Sequence, residues 1–486
     1  MMAILNHLSL KKLILTYSIL LSLAAFVQAQ DTVIVEGAHE TWANTETHIW
    51  YYDDYISGQR HTIGKLVLSD SGSFHVAFPL DKTRQLFVES GALEGTLFAV
   101  PGQHYKLKLP KYQAIAREDE LNPFFQPLRF YFGLENSYST ELNHLISEFD
   151  YIYQDYIVNN FSQIQRQRRN SGVDEMIHFL DSLFQKGDSI PFFRGYKKYK
   201  TADLRKLAYI HDNNYVIRDY FLDQPILYNN PAYCELFNKI FANYLETYMN
   251  TQDGRNIGYD VARAKSYGRA MSTLNNNLAL RNDTLRELVL IKGLNDAIYK
   301  NTFPKSSVFQ TLDSVQLQTT VPEHKKIVAN VISRAKMLRK GFPPPPFVIN
   351  MGDTLTFQVP SEKKKYLYIT FIDIESFAVQ KVLPDLKMLA EKHKKNLEIV
   401  SINMGSSYEK ASQYFDAQGY NWTLLDGNIV GGLRQAYNVK AFPMFYLIDP
   451  EGNLAMHPTP SPDNHFEWYF FNLIKQRERQ MYRQAR

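Results

Sequence analysis

A single thiol sets the first limit on the chemistry open to this chain. Cys234 is the one cysteine in 486 residues, so no disulfide can close within it. Disulfide exchange needs an attacking thiolate and a second thiol to resolve the mixed disulfide, and here that second sulfur would have to come from a partner. Cys234 lies in NNPAYCELFNKIF, near the start of a helix, and reads as a packed, inert thiol. A redox role through Cys234 and a partner's thiol stays open as an alternative. Ser376, in FIDIESFAVQKVLPDL, offers a hydroxyl, but no histidine is placed in sequence to act as its base.

Thirteen histidines invite a search for metal ligands. HETWANTETH sets His39 and His48 outside HExxH spacing, and His457 and His465 flank the loop PTPSPDN, so no metal is expected. Neither GxGxxG nor GxxxxGK[ST] occurs, and no nucleotide or other cofactor is expected. The adjacent carboxylates Asp53 and Asp54 stand in YYDDY, among aromatics that could touch a sugar; such aromatic-rich strands are more often core. A hydrolase or carbohydrate-active role for the helical region is the remaining alternative, without a visible constellation to carry it.

The elements that must position these groups fall into successive regions. Lys11 and Lys12 precede the apolar run LILTYSILLSLAAFV, and Val27 to Ala29 place small residues at −3 and −1. Residues 1–29 therefore read as a secretory signal peptide cut before Gln30, too short for a bilayer span. No cysteine follows the cleavage site to take a lipid, and no later segment is apolar enough to span a membrane. The expected location is the periplasm or the medium. The leader carries two lysines and no acid, leaving 52 basic against 50 acidic residues. That balance argues neither for nor against nucleic acid, and secretion makes nucleic acid an improbable partner.

Residues 30–115 alternate with period two. Phe74, Val76 and Phe78 fall on one face, as do Tyr105, Leu107 and Leu109, which predicts an antiparallel β-sandwich. From 116 to 341 the period is helical: Leu142, Leu145, Phe149, Ile152 and Tyr156 form a stripe, and Thr284 with Glu287 reads as a capping box. GFPPPP stops the helices as a stiff connector. Residues 347–486 then alternate strand and helix, with KYLYITFI a strand buried on both faces. The fold class is multidomain α+β, ending in an α/β domain.

That last region resembles the TlpA-type thioredoxins of the periplasm, a redoxin family. AYNVKAFPMFYLIDPEGNL carries Val439, Pro443, Ile448, Asp449 and Gly452 as the family's cis-proline segment does, and Pro384 and Leu386 match the helix after its cysteine pair. LFAVPGQHYKLKLP is similar to the β accessory domain found ahead of such modules. The resemblance implies a thioredoxin-like fold with Ser376 and Val379 at the two cysteine positions, and Glu375 and Val382 where a Trp and an acid are usual. It thus implies a domain without redox catalysis. It also implies a cis bond before Pro443 and a groove in which Ser376, Phe377, Ala378, Val379, Phe442 and Pro443 face an extended polypeptide partner, near Asp373, Glu375 and Met444.

Overall fold

The computed structural model describes residues 31–116, 119, 122, 125–166, 171–208, 213–350, 356–359, 365–405, 407–430 and 432–484. The expected signal peptide lies outside them. The chain divides into two compact units, 1–114 with 127–334 and 115–126 with 335–486.

The first unit begins with β1 (Thr32–Ala38), β2 (Glu46–Tyr52), β3 (Arg60–Val67), β4 (Ser73–Pro79), β5 (Arg84–Ser90), β6 (Leu93–Ala99) and β7 (His104–Lys108). They form two sheets, completed by β8 (Leu128–Tyr131) and β9 (Gly133–Leu134), in the orders β4-β1-β7-β9 and β3-β2-β5-β6-β8. Phe74, Phe78, Tyr105 and Leu107 from one sheet share a core with Ile49, Leu86, Val88 and Leu97 from the other. The alternation read from the sequence is therefore the inward face of two packed sheets. Strands β8 and β9 fall inside the span expected to be helical. They are short, and β8 earns its place by parallel pairing with β6, a long-range contact that local periodicity does not reveal.

Helices follow, among them Leu142–Arg166, Pro191–Ala208, Pro231–Ile240, Asp283–Lys300 and Pro322–Lys336. In the first of these Leu142, Leu145 and Phe149 are buried, while Ile152 and Tyr156 are only half so. Ile146 and Tyr153 take their place, because the buried face follows 142, 146, 149 and 153. Asn143 leaves that stripe to bond β6 directly: its Oδ1 accepts from Phe98 N at 2.6 Å and its Nδ2 donates to Phe98 O at 3.0 Å. The capping box is a correction. Asn282, not Thr284, caps Asp283–Lys300, accepting from Leu285 N at 2.9 Å, and Glu287 is spent on a buried network described below. Among the described residues no helix is long and apolar enough to cross a membrane.

The second unit holds the hairpin β10 (Phe347–Asn350) and β11 (Thr356–Val359), and a five-stranded sheet. The sheet comprises β12 (Tyr366–Ile372), β13 (Leu397–Asn403), β14 (Thr423–Asp426), β15 (Met444–Ile448) and β16 (Leu454–Met456), in the order β14-β13-β12-β15-β16. β12 pairs in parallel with β13 and antiparallel with β15. All seven residues of β12 are buried. Tyr366, Tyr368 and Ile372 enter the core on one face, and Leu367, Ile369 and Phe371 the core on the other. Each such side chain contributes about 1.5–3 kcal/mol on burial, which makes β12 the fixed axis of the unit. The connector is not a free spacer: Gly341 N donates to Leu454 O at 2.7 Å and Leu454 N to Phe342 O at 2.9 Å, so it is laid along β16.

Candidate functional site

β12 ends at Ile372, and the chain must turn there to place a helix against the sheet. Asp373 organises that turn, its Oδ1 accepting from Glu375 N at 3.0 Å and its backbone carbonyl from Ser376 N at 2.9 Å. Ser376 is the N-cap of the helix Phe377–Lys392, in extended conformation, and its side chain makes no capping bond. The first turn closes through its carbonyl, which accepts from Val379 N at 3.0 Å and Gln380 N at 3.1 Å. Gln380 Nε2 donates back to Ile374 O at 2.8 Å, and Lys410 reaches Glu375 at 3.2 Å.

The four residues of the turn have separate fates. Ser376 is half-buried, Phe377 is 81% exposed, Ala378 is exposed, and Val379 is wholly buried. Val379 joins Leu383, Leu386, Phe415 and Phe445 in the core on one face of the sheet. The peptide bond between Phe442 and Pro443 is cis. Because Phe371 pairs with Met444, Pro443 stands at the end of the sheet where the turn lies. Phe442 packs against both cores, and the Arg434 guanidinium lies 5.5 Å from its ring centroid.

Two further groups complete this end of the sheet and carried no signal in the sequence. Asn403, the last residue of β13, is fully buried, with Nδ2 donating to Gly405 O at 3.3 Å. Gly405 approaches so closely that a Cβ there would stand 2.5 Å from Asp373 Oδ1, the atom that holds Glu375 N. Gly405→Ala is expected to push that carboxylate aside and cost about 1–3 kcal/mol, measured as a lower urea midpoint.

Residues 364–454 match the family model Thioredoxin_8, described as thioredoxin-like. Similar solved structures include a thiol:disulfide interchange protein of the thioredoxin family from Chlorobium tepidum, 18% identical, covering 28% of this chain and 98% of that one, with TM-score 0.24. The thioredoxin domain of a thiol-disulfide oxidoreductase from Bacteroides vulgatus is 19% identical, covering 28% and 99%, with TM-score 0.25. A thioredoxin-like protein from Bacteroides caccae is 13% identical, covering 53% and 92%, with TM-score 0.26. No curated protein matches the sequence.

In the thioredoxin-like domain, the turn between β12 and the helix Phe377–Lys392 therefore presents a half-buried hydroxyl at Ser376 and a core side chain at Val379. The thiol of the chain lies in the other unit. Cys234 is 8% exposed, and its Sγ donates to Tyr228 O at 3.4 Å. Burial, reinforced by the nearby acids Glu235 and Asp54, pushes the thiol well above its ordinary range. A thiolate is the reactive form, so this site suppresses it.

The first unit also holds a buried polar chain that sequence reading missed. Glu287 Oε1 lies 2.6 Å from His324 Nδ1 and accepts from Thr319 Oγ1 at 2.5 Å, while Tyr267 donates to Oε2. Nε2 of the same imidazole lies 2.9 Å from the Tyr228 hydroxyl. The imidazole therefore bridges the carboxylate and the Tyr228 hydroxyl. Burial raises the Glu287 carboxyl, but the bonds from His324, Thr319 and Tyr267 outweigh it and hold the group below its ordinary value.

Proposed function

We propose that this is an exported cell-envelope protein, periplasmic or released, whose thioredoxin-like domain has no thiol chemistry of its own and instead binds a polypeptide partner. The binding surface is the turn at Ser376, Phe377 and Ala378 together with Phe442 and Pro443. One observation carries the reading: Phe377, at the head of the helix, presents a large apolar ring 81% exposed to solvent. Exposed aromatic rings beside an extended backbone are a common anchor for partner segments. Val379 supports it from inside, since a core valine holds the turn without supplying a sulfur. Export rests on the leader at 1–29, and a mature chain beginning at Gln30 on N-terminal sequencing is the expected check. The alternative through Cys234 has a buried, protonated thiol against it.

A photo-crosslinking residue placed at Phe442 in the native envelope tests the binding surface. The expected result is capture of one discrete polypeptide, reduced at least severalfold when Phe377→Ala is added. An exposed side chain contributes little to folding, so that change should leave the melting temperature within about a degree. Capture that is indifferent to Phe377→Ala, or that arises only from probes in the helical region, overturns the proposal.

A further inference from the structure

The helix Phe466–Gln484 packs on the second unit through one face and carries aromatic rings on the other. Phe466 and Phe470 are wholly buried, and Leu473 and Ile474 pack against the same core. The outward side of a helix seated in this way is ordinarily polar. Here Trp468 is 64% exposed and Phe471 51%, with the Tyr469 ring 4.9 Å from that of Trp468. Of the four tryptophans, Trp42 and Trp50 are buried and Trp422 is half-buried, so Trp468 is the one set in solvent.

Cations gather at both ends of this aromatic patch. Lys475 and Arg479 follow Trp468 at seven and eleven residues, along the same line of the helix, and both are exposed. Lys475 Nζ lies 4.3 Å from the centroid of the Phe471 ring. Residues 475–486 contain five basic residues against one acid, Glu478. At its other end the helix abuts Lys392 and His393, which hold Glu467 Oε1 at 2.5 and 2.8 Å and so occupy that acid. Lys394 and Lys395 follow, both exposed.

Large rings gain by leaving water, and cations gain by meeting anions. A bilayer with anionic headgroups offers both at once: aromatic rings settle at the headgroup level, and each Lys or Arg strengthens binding about fivefold. A second copy of the chain is a poor occupant, because either alignment of two such faces sets cation against cation. An acidic polymer would answer the cations and offer the rings no hydrocarbon.

We propose that the outward face of Phe466–Gln484 docks the protein on an anionic lipid surface, with Trp468 and Phe471 entering the headgroup layer and Lys475 and Arg479 meeting lipid phosphates. This face is distinct from the turn at Phe377, since it adjoins Lys392 at the opposite end of that helix, about 24 Å along its axis. Sedimentation with vesicles tests it, using the mature chain from Gln30 so that the apolar leader plays no part. An equal mixture of phosphatidylglycerol and phosphatidylcholine should bind at least tenfold more tightly than phosphatidylcholine alone. Lys475→Glu with Arg479→Glu should weaken that binding at least tenfold. Trp468→Ala, at an exposed position, should leave the melting temperature within about a degree and lower the affinity about fivefold. Brominated phosphatidylglycerol should quench tryptophan emission in the native chain and spare it in Trp468→Phe. Failure to sediment with the anionic vesicles, or equal binding to both kinds, overturns the proposal. Dependence on Lys475 and Arg479 without dependence on Trp468 assigns the face to an acidic polymer and overturns it as well.

Discussion

Ser376→Cys combined with Val379→Cys should convert a chain that leaves insulin disulfides intact into one that reduces them with dithiothreitol as electron source. The backbone already has what the chemistry requires. Ser376 is the N-cap and Val379 lies in the first turn, joined by the Val379 N to Ser376 O bond of 3.0 Å. That is the spacing of a Cys-X-X-Cys pair at a helix N-terminus, where the helix field favours a thiolate on the first sulfur. The buried second position is smaller as Cys than as Val, at a cost of about 1 kcal/mol. After mild oxidation the double variant should present one free thiol to a reagent under denaturing conditions, Cys234, and three after reduction. Each single variant should form mixed disulfides and no internal one. If three thiols titrate freely in the oxidised double variant, the turn does not have the geometry assigned to it.

Glu287→Ala should destabilise the first unit by about 3–5 kcal/mol, read as a large fall in urea midpoint. The carboxylate is the shared partner of buried His324 and of half-buried Thr319 and Tyr267, and its loss leaves all three without it at once. The pH dependence has a defined sign. A carboxyl held below its ordinary value when folded contributes fully above the unfolded value of about 4.3 and loses that contribution as pH falls through the folded value. Native protein should therefore weaken progressively below about pH 5, and Glu287→Gln should flatten that part of the curve. An equally steep acid limb in Glu287→Gln would assign the titration to other groups.

The parts of the fold that were legible in the sequence are those whose pattern is local. β12 reads as a strand buried on both faces because all of KYLYITFI after its lysine is apolar or Thr, and each alternate residue does enter an opposite core. Phe74 and Phe78 announce their face in the same way. What was misread depends on partners far along the chain. Thr284 and Glu287 have the spacing of a capping box, yet Glu287 is claimed by Tyr267, Thr319 and His324, 20, 32 and 37 residues away. Asn282 then caps the helix, being one of the residue types best suited to do so. β8 needed β6 to become a strand. At the candidate site, Ser376, Val379 and Pro443 stood out by their place in a recognisable segment. Asp373 was placed near the groove but not as the organiser of its turn, and Asn403 and Gly405 did not stand out, because their importance lies in a close approach between two strand ends.

The isolation of Cys234 gives this protein a built-in clock. A thiol buried in the helix Pro231–Ile240 meets an alkylating agent far more readily when that part of the molecule opens, so its modification rate under native conditions reports on opening there. The second unit has no sulfhydryl and is silent in such a trace. Comparing that rate with the loss of circular dichroism would separate the breathing of one half of the chain from the melting of the other, with no label introduced.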